Sequence, residues 1–181
     1  MKPVREMTQA EIGAFVVSHL AEQGIDVVLS GGAAVGIHSG DAYVSGDLDL
    51  VNTRLAKRPA IAEAMAKIGF REVDRHFRHP ESPFIVEFPP GPLAVGAEPV
   101  TSVVEHHLPT GVLRLISPTD CVKDRLATYY HWKDRQGLIQ AILVAQHQPV
   151  DLGEIERWSR SEGKAREFRE IRPQLEAASP R

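Results

Sequence analysis

The sequence predicts an α/β core over residues 1–116 followed by an all-helical region over 117–181. Three observations predict it. Short β-branched runs alternate with helical patterns up to Ile116. Residues 29–50 pass from an apolar strand through Gly31-Gly32 and a short helix to a second strand carrying Asp47 and Asp49. From Ser117 onward the strand signals stop and four helical patterns follow.

The elements follow in order. Thr8-Gln9-Ala10-Glu11 reads as a capping box opening a helix over 8–23, with Ile12, Phe15, Val16 and Leu20 on one face and Gly24 as its stop. Val27, Val28 and Leu29 predict a strand over 26–30. Gly31-Gly32 turns into a helix over 33–38, and 39–41 is a loop. A strand covers 46–51. A helix over 59–68 ends at Gly69. Strands are expected over 70–74 and 83–88, with a polar loop over 75–82. Pro89-Pro90-Gly91-Pro92 breaks the chain, and a last strand pair covers 103–107 and 112–116. Ser117-Pro118-Thr119-Asp120 combines an N-cap, a Pro at the first helical position and an acid two residues on, a strong helix start. Helices are expected over 118–132, 135–147, 151–161 and 164–177.

At 181 residues, 43% hydrophobic and 25% charged, the chain can bury one core, with or without a helical appendage. A net charge of −3 argues against a surface built wholly for nucleic acid, though not against a local basic patch. One cysteine, Cys121, excludes an internal disulfide and suits a reducing compartment. It reads as a small buried hydrophobe. No apolar run approaches the roughly 18 residues that span a bilayer. The N-terminal sequence lacks the order of a signal peptide, so the expected location is the cytoplasm, with no membrane partner.

The chemistry concentrates in residues 29–49. Asp47 and Asp49 stand at i and i+2 on a strand, so both point to one face. Like charges that close repel, and a cation between them relieves the cost. Mg²⁺ (or Mn²⁺) is the natural ion, a hard cation taking oxygen ligands. Leu48, Leu50 and Val51 predict that the opposite face is buried and the strand central. Gly31 and Gly32 let backbone approach a bulky anion, and the following helix offers free N–H groups to phosphate. Ser30 and Ser45 flank these elements as further phosphate-side candidates. Glu87, the acid within the apolar run 84–88, is the candidate third carboxylate, with Asp74 a weaker rival. Lys123 and Arg125 are candidate phosphate cations; two residues apart, they cannot share a helix face. Tyr129, Tyr130 and Trp132 read as core, or as a platform for a base. The eight histidines form no recognisable metal motif.

Gly31-Gly32 with Ser45-Gly46-Asp47-Leu48-Asp49 resembles the nucleotidyltransferase superfamily of the DNA polymerase β-like fold. The nearer likeness is to minimal bacterial nucleotidyltransferases of the AbiEii-toxin-like group, through Ser117-Pro118-Thr119-Asp120 and the basic Arg125 before Leu126-Ala127. It covers about residues 10–150. The resemblance implies a mixed sheet with flanking helices, a nucleoside triphosphate such as ATP, and Mg²⁺. It implies Asp47, Asp49 and Glu87 at the metal and Gly31 and Gly32 at the phosphates. The chain departs from the pattern where Glu87 replaces the usual Asp, where Arg125 replaces Lys, and where Ile139 and Gln140 stand near the place of another Asp.

Three functions are therefore expected in competition. One is transfer of a nucleotidyl group to a tRNA end, a protein side chain or a small molecule. Another is a nucleotide-binding module with little or no catalysis, a partner or regulator of toxin–antitoxin type. The last is a dinucleotide-binding domain, which the non-matching Gly31-Gly32-Ala33-Ala34-Val35-Gly36 and the paired acids oppose.

Overall fold

The computed structural model describes residues 2–179. They form two compact units. The first holds the chain to Ala33 with Ser45–Leu93 and Val103–Ile116; the second holds Ala34–Val44, Ala94–Ser102 and the chain from Ser117.

The first unit is built on a helix and a sheet. Helix α1 (Gln9–Glu22) starts at the expected capping box: the Thr8 side chain accepts from the Glu11 N–H at 3.3 Å, and the Glu11 carboxylate accepts from the Thr8 N–H at 2.8 Å. Its buried face of Ile12, Phe15, Val16, Val17 and Leu20 packs on the sheet. Strand β1 (Val27–Ser30) is followed directly by helix α2 (Gly31–His38), which begins at Gly31 rather than at Ala33. Strand β2 (Asp47–Asn52) comes next, then helix α3 (Arg58–Lys67), β3 (Arg71–Val73), β4 (His76–Arg78) and β5 (Ile85–Glu87). A two-stranded hairpin of β6 (Ala94–Val95) and β7 (Glu98–Pro99) belongs to the second unit. Strands β8 (Val103–Leu108) and β9 (Gly111–Ile116) complete the seven-stranded sheet, in the order β3-β4-β5-β2-β1-β9-β8.

The sheet is mixed, as expected: β2 runs antiparallel to β1 and parallel to β5, while β1 runs parallel to β9. The antiparallel β1–α2–β2 connection is not a βαβ crossover, which removes the dinucleotide-domain alternative. Strand β2 is fourth of seven and therefore central. Leu48 and Leu50 are fully buried, worth about 2 kcal/mol each. A register slip of one residue would exchange them for both aspartates, so burial fixes the face on which Asp47 and Asp49 stand.

Strand β4 corrects the loop expected over 75–82. Asp74 and Arg75 take φ of 50° and 72°, turning the chain tightly between β3 and β4. Phe77 is then fully buried against Phe88, ring edge to ring face at 5.3 Å. One buried side chain between two polar ones is enough for a short strand once neighbours pair on both sides.

The second unit contains helices α4 (Pro118–Trp132), α5 (Arg135–His147), α6 (Leu152–Ser161) and α7 (Ala165–Ala178), close to the expected spans. Ser117, Asp134 and Asp151 cap the first three through their side chains. Gly137 lets α5 approach α4, since a Cβ there would lie 2.5 Å from the Arg125 carbonyl oxygen. The core centres on Trp158, stacked on Tyr130 at 6.0 Å and donating to the Val95 carbonyl at 3.2 Å. Trp132, read from the sequence as core or as a platform for a base, is 74% exposed and is not core. Cys121 is fully buried, and desolvation raises its thiol pKa well above the ordinary value, so it is the small hydrophobe expected. Among the described residues, no helix is long and apolar enough to cross a membrane.

Candidate functional site

The strand register assembles the acids. Ser30 of β1 pairs with Asp49 of β2, and Asp49 pairs with Glu87 of β5. Asp47 lies two residues before Asp49 on the same face. One carboxylate oxygen from each of Asp47, Asp49 and Glu87 lies within 4.8 Å of the other two, and all three residues are half-buried. The third acid is thus Glu87; Asp74 sits instead in the β3–β4 turn.

Each carboxylate is held by its surroundings. Ser45 Oγ donates to Asp47 Oδ1 at 2.5 Å. The Gln9 side-chain amide, at the start of α1, donates to the backbone oxygens of Ser45 and Asp47 at 2.8 and 3.3 Å. Gly31 lies against Asp49: its φ is +68°, and a Cβ there would overlap the Asp49 carboxylate. Glycine is favoured on both grounds. His76 Nδ1 comes 2.8 Å from Glu87 Oε1, close but poorly aligned for a hydrogen bond.

Gly31 and Gly32 form the first turn of α2, where the leading N–H groups of a helix have no partner within it. The site therefore joins a helix N-terminus, with its partial positive charge, to a cluster of three carboxylates. Hard oxygen donors this close suit a divalent cation of the Mg²⁺ type.

The two cations expected at the phosphates belong to the second unit. Lys123 is almost wholly buried, and its ammonium lies 2.7 Å from Glu154 and 3.2 Å from Asp120. The Arg125 guanidinium pairs with Asp124 and donates to Gln140 Oε1 at 3.2 Å.

Comparison with family models gives no match, and neither does comparison with curated proteins. Solved structures do match. An antigenic nucleotidyltransferase-like protein from Paracoccidioides brasiliensis superposes with a TM-score of 0.58 at 17% identity, covering 96% of this chain and 94% of its own. ANT(2")-Ia, solved in complex with adenylyl-2"-tobramycin, superposes with a TM-score of 0.55 at 15% identity, covering 87% of this chain and 99% of its own. The fold is nucleotidyltransferase-like.

Two residues at the acid cluster of this nucleotidyltransferase-like sheet escape sequence reasoning. Gln9 looks like an ordinary helix-start residue, and only the packing of α1 shows that it grips the entry to β2. His76 needs β4: the pairing of Phe77 with Val86 continues to set His76 beside Glu87. The alternation His76-Phe77-Arg78 was the available signal.

Proposed function

We propose that this protein transfers a nucleotidyl group from a nucleoside triphosphate to a hydroxyl acceptor. The carrying observation is the convergence of Asp47, Asp49 and Glu87 within 4.8 Å in a nucleotidyltransferase-like fold. The three carboxylates hold Mg²⁺ or Mn²⁺, which supplies charge neutralisation at the phosphate oxygens. The likeness to ANT(2")-Ia, solved with an adenylyl adduct, supports a nucleotide substrate.

The chain's own groups divide the remaining work. Gly31 and Gly32 present backbone N–H groups to the phosphates, and the start of α2 favours their negative charge. Ser45 and Gln9 fix Asp47, and Gly31 leaves room for Asp49. The acceptor oxygen forms a bond to the α-phosphorus while the bond to pyrophosphate breaks, and the hydroxyl proton passes to a carboxylate of the cluster. A phosphate role for Lys123 or Arg125 requires each to release the carboxylates it now holds. The AbiEii-like motif Ser117-Pro118-Thr119-Asp120 supports kinship with that group.

The test is pyrophosphate release from each of the four common NTPs with Mg²⁺, across pools of tRNA, protein and small hydroxyl compounds. Release that disappears in Asp47→Ala supports the proposal. Mg²⁺-dependent NTP binding with no release in any pool makes the protein a binding module instead.

A further inference from the structure

An open cleft of about 490 Å³ lies beside the acid cluster, and Glu87 belongs to both. We propose that this cleft is the acceptor subsite, and that its acceptor is a small hydroxyl compound bearing an anionic group held by Arg58 and Arg75. The proposal rests on the nucleotidyl-transfer reading.

Position comes first. In the strand register, Asp49 separates Ser30, with Gly31 next in the chain, from Glu87. A displacement at phosphorus places the attacking and leaving oxygens roughly in line, on opposite sides. With the leaving pyrophosphate at the start of α2, the attacking oxygen enters from the Glu87 side, where the cleft opens. Its volume suits a small molecule.

Chemistry selects the acceptor. Arg58 is fixed in place: its Nε and Nη2 donate to Glu72 at 2.9 and 2.7 Å, its Nη2 also donates to the Arg75 carbonyl at 2.6 Å, and the guanidinium lies 5.2 Å from the Phe77 ring centre. Its Nη1 takes no part in these bonds and belongs to a planar, pre-organised donor. Arg75 is exposed on the β3–β4 turn, and its guanidinium pairs with no carboxylate among the described residues. Phe88, Pro89 and Pro90 supply an apolar wall, and Asp74 is the remaining acid. The Arg75 guanidinium fork and the Arg58 Nη1 at one cleft match phosphate or carboxylate oxygens. They oppose a polyamine.

The test is an NMR titration of the full chain with glycerol 3-phosphate, glycerate and spermidine, beside a separate Mn²⁺·ATP titration. Glycerol 3-phosphate or glycerate is expected to shift the amides of Arg75, His76, Glu87 and Phe88, and the tighter of the two identifies the anionic group. Arg75→Gln is expected to weaken that binding about tenfold and to leave Mn²⁺·ATP affinity unchanged. Unchanged anion affinity in Arg75→Gln, shifts confined to other residues, or tighter binding of spermidine at the same amides overturns the subsite. Absence of any anion response in the unaltered protein, with its Mn²⁺·ATP binding intact, sinks the subsite alone. Absence of Mn²⁺·ATP binding in the unaltered protein sinks the nucleotidyl-transfer reading.

Discussion

Gly31 and Asp49 are neighbours that disfavour any other residue at position 31: the backbone φ is +68°, and the place of a Cβ is taken by the Asp49 carboxylate. The glycine that starts α2 thus also sets the position of a central acid. Gly31→Ala is expected to cost about 1–2 kcal/mol through its left-handed backbone alone. Displacing Asp49 should weaken Mn²⁺ binding as well. Urea denaturation and a Mn²⁺ titration on the same variant check both effects. Wild-type Mn²⁺ affinity in Gly31→Ala would show that Asp49 is not a ligand.

His76 tests the other end of the row. Its Nδ1 stands 2.8 Å from Glu87 Oε1, beside that carboxylate though poorly aligned for a hydrogen bond. Partners behind metal-binding carboxylates commonly govern affinity by 10–100-fold. His76→Ala is expected to weaken Mn²⁺ binding about tenfold, with little change in stability. Titration calorimetry against Mn²⁺ measures it, and an affinity equal to that of the unaltered protein removes His76 from the site.

Lys123 is held by Asp120 and Glu154 in the interior of the second unit. Removing the Lys123 ammonium strands the buried charge of Asp120, while Glu154 keeps Arg157. Lys123→Met is therefore expected to lower stability by about 3 kcal/mol in equilibrium denaturation. If instead it leaves stability intact and lowers affinity for Mn²⁺·ATP, Lys123 serves the phosphates.

Arg157 bridges Glu98 and Glu154 and, ahead of all other causes, lowers both carboxyls from 4.5 to about 2. Ser161 adds to the effect on Glu98, and Lys123 to that on Glu154. The folded protein binds these two protons less readily than the unfolded chain. Their contribution is full above pH 4.5 and fades as pH falls toward 2. Arg157→Gln should lower stability at pH 7 and flatten its dependence between pH 4.5 and 2. Denaturation followed by tryptophan fluorescence across that range checks it. An unchanged slope contradicts the bridge.

Much of this was legible in the sequence, for physical reasons. The capping box at Thr8, the cap at Ser117 and the alternation around Leu48 and Leu50 are local signals, and each element formed where its signal lay. Glu87 could be singled out because a lone acid in an apolar run needs a partner. Strand β4 was not legible. Its three residues acquire strand geometry from pairing with β3 and β5 and from the burial of Phe77. His76 was lost with it. Gln9 was missed because its partners lie 36 and 38 residues away, and Trp132 was misplaced because an aromatic side chain at a helix end carries no local mark of exposure.

The central claim is that Asp47, Asp49 and Glu87 together hold a divalent cation with a nucleotide. Calorimetric titration of Mn²⁺ with ATP into the unaltered protein and into Asp47→Asn, Asp49→Asn and Glu87→Gln tests it most directly, since each substitution keeps the shape and removes the charge. Metal-dependent ATP binding that each substitution weakens by at least about tenfold is the expected result. Binding that survives all three, or that needs no metal, contradicts the account.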